Sequence, residues 1–420
     1  MNIAIIGAGF TGLTAGLRLL QAGHRVTIIE KAEQPGGLAL GFTKPQWKWT
    51  VEEYYHHWFT NDKAVLSLAA ELQYPVVIAR PKTSVFVDQK IYQLDSPTKL
   101  LTFPKLSVSQ RLQMAFVLGA LRYDPFWKPL ERVRAAEFLS KAMGKKGYKM
   151  IWEPQLRNKF GDYMQEISLA WFWARIAKRT SSLAYPEKGF LPFAQTLADH
   201  ITKLGGKIIY STSIEKIEKK DTSFSLGKEF GEFDKVLVTL PSFAFLKLFP
   251  QLPEPYKKKL QPLKGLGAQT VVLRLKEQFF TDGTYWLSVC DTSSPVLAIV
   301  EHTNFMDKQY YNNEHIVYLG NYLPQGHPNF SKTTKELLQL FDPYLKKLNP
   351  TYDKHIIAAD MFSVPFAQPI VPVNYSKMIP SIQTPVPGLY LANMQQVYPW
   401  DRGTNYAVEL GEKAANIINA

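Results

Sequence analysis

Ile3-Ala4-Ile5-Ile6-Gly7-Ala8-Gly9-Phe10-Thr11-Gly12 opens the chain and decides how the rest is read. Four apolar residues predict a buried strand, and the three glycines predict a tight turn into a helix that runs to about Gly23. A second strand is expected at Arg25 to Ile29, closed by Glu30. Gly7 permits the turn, Gly9 lets the backbone approach a pyrophosphate, and Gly12 lets helix and strand pack closely. The helix start, at Phe10 and Thr11, offers free N–H groups and partial positive charge to the phosphates. Glu30 follows Gly12 by eighteen residues, where a carboxylate accepts both hydroxyls of an adenosine ribose and disfavours a 2′-phosphate. The unit reads as a dinucleotide site and by itself leaves NAD and FAD open.

Two further blocks bear on that choice. Lys31-Ala32-Glu33-Gln34-Pro35-Gly36-Gly37-Leu38 is a turn whose paired glycines again allow close backbone approach. Near the other end, Pro387-Gly388-Leu389-Tyr390-Leu391-Ala392-Asn393 reads as a strand, followed by Asp401-Arg402-Gly403-Thr404-Asn405-Tyr406-Ala407 and an amphipathic helix to Ile418. A new helix start there is a second place to receive ligand charge.

With these blocks in hand, the chain resembles the FAD-dependent amine oxidase, protoporphyrinogen oxidase and phytoene desaturase superfamily. A weaker match covers Ile208 to Ile217, where that family has a strand whose backbone holds the adenine, here around Ile214. The resemblance implies FAD, with Gly7, Gly9 and Gly12 on its pyrophosphate and Glu30 on its ribose. It implies that Gly36, Gly37 and Leu38 run along the cofactor, that Lys31 and Asn393 flank it, and that Gly403, Thr404 and Asn405 face the flavin's pyrimidine edge. Two positions depart from the family pattern: Leu38 stands where an Arg is common, and Asn393-Met394 replaces a usual Gly-Asp.

The implied fold is α/β: a discontinuous Rossmann-type FAD-binding domain from residues 1–60, 185–250 and 380–420, with an α+β substrate domain from 61–184 and 251–379. In the first, Lys188 to Leu204 reads as a helix, and Lys207 to Tyr210 and Val236 to Leu240 as strands. In the second, a mostly antiparallel sheet is expected from Val76 to Val87, Ala268 to Leu275, Tyr285 to Val289, Val296 to Val300, His315 to Tyr322 and His355 to Met361. Helices are expected at Ser109 to Tyr123, Leu130 to Met143, Ile167 to Lys178 and Thr333 to Leu348.

The 420 residues suit two domains, and 46% hydrophobic with 20% charged residues describes a globular chain. A single cysteine, Cys290, excludes an internal disulfide and suits a reducing, cytoplasmic setting. The chain opens on a strand, so no signal peptide is expected, and no apolar run approaches the ~20 residues that cross a bilayer. Nothing resembles a Ser/His/Asp triad, a P-loop or a zinc motif; no metal is expected, and no side chain stands out as catalytic.

The net charge of +13 is localised. Residues 99–179 hold sixteen Lys and Arg against six Asp and Glu, interleaved with Phe116, Tyr123, Phe126, Trp127, Trp171 and Trp173. That mixture suits either a solvated basic face or a monotopic contact with an anionic membrane, on its inner face. No nucleic-acid module is recognisable.

Candidate substrate residues are fewer. In Tyr54-Tyr55-His56-His57-Trp58, adjacent histidines point apart and cannot share a metal; His57 either faces substrate or packs. Arg157 is a candidate for an acidic substrate, though a solvated charge is the favoured reading. Trp171 and Arg175, four apart on a helix, either form a cation–π pair or pack in the core. Tyr398, Trp400 and Arg402 precede the Gly403 turn and are placed to wall a substrate cavity, with Arg402 alternatively paired to Asp401. The leading expectation is dehydrogenation of a C–N or C–C bond of an amine or a hydrophobic, lipid-linked substrate. Two others stay open: a non-redox flavoenzyme resembling UDP-galactopyranose mutase, or a binding platform of the same fold, as in the Rab escort proteins.

Overall fold

Five parallel strands carry the two ends of the chain into one sheet. The computed structural model describes all of residues 1–420. The sheet runs Lys207–Ile209, Arg25–Ile29, Asn2–Ile6, Lys235–Val238, Leu389–Leu391 in spatial order. Ile3, Ala4 and Ile5 are fully buried, as strands covered on both faces must be. The Phe10–Gln21, Phe190–Lys203 and Thr404–Asn419 helices cover it. The first and last cross closely at Gly411, where an added Cβ would stand 2.6 Å from the Thr11 carbonyl.

A second sheet has seven strands in the order Ile356–Pro369, Gly265–Leu275, His315–Leu323, Ala298–Glu301, Thr284–Val289, Lys82–Val87, Lys90–Gln93. All its pairings are antiparallel except that of Thr284–Val289 with Lys82–Val87. The Thr334–Leu348 helix packs Leu337, Phe341, Tyr344 and Leu345 into the core beside this sheet. It is capped by Thr333, whose hydroxyl accepts from the Glu336 N–H while Glu336 returns the bond.

Residues 97–178 form the helical part, with its longest helix at Val108–Tyr123 and a fully aromatic, buried turn at Trp171, Phe172 and Trp173. No helix in the chain is long and apolar enough to cross a membrane.

Three expected elements differ. Val76 to Val87 is two strands, Val76–Ala79 and Lys82–Val87, in different sheets. Pro81 has no N–H to donate, so the sheet ladder is interrupted there and the run divides between two sheets. The helix expected from Leu130 starts at Ala135, because Arg134 bridges Ser168 and the Leu169 N–H bonds the Val133 carbonyl at 2.7 Å. The strand read at Lys207 to Tyr210 is present as Lys207–Ile209, but the adenine-holding strand that the resemblance extends over Ile208 to Ile217 does not continue: Ser211 turns to φ 53° and its N–H bonds the Ala32 carbonyl at 3.0 Å. Ile214 therefore sits buried in a loop rather than in a strand.

Candidate active site

Two glycine turns meet at the end of the first strand. Gly7 has φ 109°, and a Cβ there would lie 2.4 Å from Thr239 Oγ1; a Cβ on Gly12 would lie 2.0 Å from the Gly7 carbonyl. Gly36, at φ 130°, pairs in bridge fashion with Gly9, and its N–H donates to the Ala8 carbonyl at 3.0 Å. Gly37 closes the contact: a Cβ on it would stand 3.0 Å from Gly9 Cα. Side chains are thus excluded and backbone lines the groove.

Glu30 anchors this cradle. One carboxylate oxygen accepts the Ala8 N–H at 2.6 Å and the other the Ala32 N–H at 2.8 Å. Each oxygen keeps a further lone pair for a sugar hydroxyl. Lys31 is exposed beside it, and Phe10 turns inward, stacked on Phe193 at 5.6 Å.

At the other end, Gly403 caps the Thr404–Asn419 helix in an extended conformation. The Thr404 hydroxyl accepts from Trp58 Nε1 at 2.6 Å, and Asn405 Oδ1 accepts from the Val65 N–H at 3.2 Å. Both side chains are drawn inward, so the groove is offered the first-turn N–H groups and the helix dipole.

Between these termini opens a narrow pocket lined by Leu38, Tyr54, Tyr55, His56, Tyr322 and Arg402. It gathers the segment after the second glycine turn, the centre of the seven-stranded sheet and the approach to Gly403. Burial pushes the Tyr55 phenol up to about 12 and His56 down to about 4, Arg402 adding to the latter. Arg402 Nε donates to Gln368 Oε1 at 3.2 Å, Nη2 donates to the Tyr322 hydroxyl, and the guanidinium lies 5.1 Å from that ring's centre. Behind it, Asp401 Oδ2 accepts from Arg175 Nη1 at 2.9 Å and Lys159 Nζ at 3.3 Å. Burial works to raise the Asp401 pKa, but Lys159 and Arg175 outweigh it and hold the carboxyl far below its usual range. Lys159, mostly buried against Trp171 and Tyr322, is brought down to about 7 by desolvation.

A backbone-lined cradle, a ribose-ready carboxylate and a distant helix start fit one long dinucleotide, and the sequence pattern of the flavin-containing amine oxidoreductases matches residues 10–419. The chain belongs to that family. FAD is its cofactor, and the chain is an FAD-dependent oxidoreductase. The fold agrees. A structure assigned as a protoporphyrinogen oxidase from Exiguobacterium sp. 255-15 superposes with a TM-score of 0.78 at 16% identity, covering 100% of this chain and 98% of that one. Putrescine oxidase bound to putrescine gives 0.75 at 14% identity over 100% of both chains. Reduced UDP-galactopyranose mutase gives 0.77 at 13% identity, covering 99% of this chain and 93% of the other. In sequence, a 4,4'-diapophytoene desaturase of Staphylococcus haemolyticus is 57% identical over 44 residues, 10% of this chain and 9% of that protein. An L-amino-acid oxidase of Daboia russelii is 53% identical over 36 residues, 9% of this chain and 7% of that one.

Within this oxidoreductase, several residues singled out by sequence lie elsewhere than expected. His57 stays out of the pocket: its Nδ1 lies 3.2 Å from the Tyr285 hydroxyl and its ring packs edge-on to Trp286; its neighbour His56 lines the cavity instead. Tyr398 points into the helical part, its hydroxyl 3.2 Å from Glu131 Oε2. Trp400 is stacked between Trp173 and Tyr406 at 5.2 and 6.0 Å. Asn393 turns its amide inward, donating to the Leu240 carbonyl at 2.9 Å, and caps the short helix at Met394–Gln396. Arg402 lines the pocket and is not paired with Asp401, whose partners are Lys159 and Arg175. The cation–π geometry expected for Arg175 over Trp171 is present at 5.2 Å. Arg157 pairs with Glu153 at 3.5 Å on a half-exposed surface. Sequence reasoning missed Lys159 and Tyr322. Lys159 lies two residues beyond Arg157, and on a helix that spacing turns it to another face.

Proposed function

We propose that the enzyme dehydrogenates a C–N or C–C bond of an amine or of a hydrophobic, lipid-linked substrate, the bound flavin accepting hydride from the substrate carbon. The observation that carries this is the character of the pocket: aromatic walls from Tyr54, Tyr55 and Tyr322 beside the cofactor cradle. Those walls orient an apolar substrate and exclude water. His56, held at about 4, is neutral at physiological pH, and Tyr55 stays protonated. Lys159, 3.3 Å from Asp401 Oδ2 behind the pocket, helps hold the turn that leads into Gly403. Gly403 and the helix it caps favour negative charge at the cofactor's far end.

A peripheral position on the inner face of a membrane is part of this reading. The Val108–Tyr123 helix leaves Leu112, Phe116 and Tyr123 56, 77 and 82% exposed, with Phe126 at 72% beyond it. Exposed aromatic and aliphatic side chains on a strongly basic part of the chain suit the interface of an anionic bilayer. Anaerobic mixing of FAD-loaded protein with amines and polyenes tests the reaction: bleaching of the flavin bands supports it, and a flavin unchanged by every candidate removes it.

The second reading, non-redox catalysis on a sugar nucleotide, is favoured by the cations around Asp401. Sugar-nucleotide binding to the reduced protein alone would select it. The glycine cradle and Glu30 argue against a cofactor-free binding platform.

A further inference from the structure

Trp58 closes the run Tyr54-Tyr55-His56-His57-Trp58 and does not line the pocket. It is fully buried in a short strand, Trp58–Phe59, paired antiparallel to Leu183–Pro186. Its ring stands edge-on to Phe190 and to Phe193, each at 5.3 Å. A buried indole N–H needs an acceptor, and Trp58 Nε1 finds the Thr404 hydroxyl at 2.6 Å, 346 residues away in sequence. Phe193 in turn stacks on Phe10 at 5.6 Å. Phe10 and Thr404 are the first residues of the two helices that start at the cofactor cradle. One buried chain, Phe10, Phe193, Trp58 and Thr404, therefore joins the two helix starts.

The two starts are alike. Each follows a glycine, Gly9 or Gly403, without a side-chain cap and without an acid in its first turn. Their N–H groups and partial positive charge are left for a ligand. That effect fades within the first turn, so a small shift of a helix start alters it. Gly411 packs the two helices together further along, against the Thr11 carbonyl. At the start itself, the side-chain hydrogen bonds to the rest of the fold are those of Thr404 with Trp58 and of Asn405 with Val65.

We propose that Trp58 is a positioning residue for the cofactor. Its N–H holds Thr404 so that the helix start meets the flavin end of FAD, which sets how much more tightly the reduced cofactor is held than the oxidised one. The proposal rests on the reading that places the flavin's pyrimidine edge at Gly403, Thr404 and Asn405. Reduction adds negative charge that a helix start stabilises, whereas the uncharged oxidised ring depends on it less. Loosening the start therefore weakens the reduced form selectively and lowers the midpoint potential. A Trp58 that served packing alone would affect both forms alike.

Anaerobic redox titration of the FAD-loaded protein against a reference dye tests it, with fluorescence titration for oxidised FAD. Trp58→Phe keeps a ring against Phe190 and Phe193 and removes the N–H. Oxidised FAD should bind within about twofold of the unaltered protein while reduced FAD weakens about tenfold, which lowers the two-electron midpoint by about 30 mV. Thr404→Val should lower it equally, and Thr404→Ser, which keeps the acceptor, should not. The double variant Trp58→Phe, Thr404→Val should go no lower than either alone. A potential unmoved by Trp58→Phe, or shifts that add in the double variant, overturns the proposal. If Trp58→Phe fails to fold, Thr404→Val against Thr404→Ser decides, and equal potentials for those two overturn it. Glu30→Ala, at the other end of the cradle, should weaken both redox forms alike. A potential that moves with Glu30→Ala and with none of the others means that the flavin placement itself fails. One that moves with Thr404→Val and not with Trp58→Phe keeps the placement and ends the role of Trp58.

Discussion

Arg175 Nη1 lies 2.9 Å from Asp401 Oδ2, joining the Leu169–Lys178 helix to the turn that leads into Gly403. The pair couples the helical part of the chain to the end of the cofactor cradle. Asp401→Asn removes the one acid that Arg175 and Lys159 share and leaves both cations facing each other. Arg175 is 40% exposed, so solvent relieves part of the loss, and a destabilisation of about 1–3 kcal/mol is expected. Urea unfolding measures it; a change under about 0.5 kcal/mol would mean the pair is incidental.

The cradle makes a sharper demand. Gly12→Ala puts a methyl 2.0 Å from the Gly7 carbonyl, which is backbone and cannot turn aside. We expect a loss near 3 kcal/mol in stability, about the upper range for overpacking, and loss of FAD. Glu30→Ala spares the packing but removes the acceptor of the Ala8 and Ala32 N–H groups, and FAD affinity should fall by at least about tenfold. Fluorescence titration with FAD reads both.

Glu52 gives the chain a pH dependence. It is fully buried, with Tyr185 and the Phe190 N–H donating to one oxygen at 2.8 and 3.1 Å and the other oxygen unpartnered. Burial raises its pKa to about 7, against these hydrogen bonds. A carboxyl raised in the folded state binds its proton more tightly there than in the unfolded chain. Its destabilising effect is therefore absent below the ordinary carboxyl range, grows as pH rises from there, and is complete above about 7. Glu52→Gln should raise stability by about 1–3 kcal/mol at about pH 8 and leave it unchanged at about pH 4. Equal effects at the two pH values would contradict the assignment.

The exposed apolar stripe can be tested without touching the pocket. Leu112→Ser with Phe116→Ser should lower co-flotation with anionic vesicles by about tenfold or more, since each side chain gives up burial worth about 1.5–3 kcal/mol. Retention of the unaltered protein at the bottom of the gradient at low salt would end the membrane reading.

How much of this was legible in the sequence depended on separation along the chain. The strand, glycine turn, helix and Glu30 were read to within a residue or two, because apolar period and glycine geometry are local. The aromatic pocket was legible only at Arg402, because Tyr55, Tyr322 and Arg402 meet only through the folding of both sheets. His57 drew notice while its neighbour His56 faces the cavity, since alternation along an extended segment says that two residues diverge and not which one turns inward. Pro81 was visible, yet the apolar run across it suggested one strand where two sheets divide it.

The most direct test of the central claim is the anaerobic visible spectrum of the FAD-loaded enzyme, recorded on mixing with hydrophobic and lipid-linked compounds that carry an oxidisable C–N or C–C bond. The account predicts that at least one of them bleaches the flavin bands, with oxidised product formed in equal amount. A flavin that stays oxidised with every compound, in a protein that binds sugar nucleotides only after chemical reduction, would contradict it.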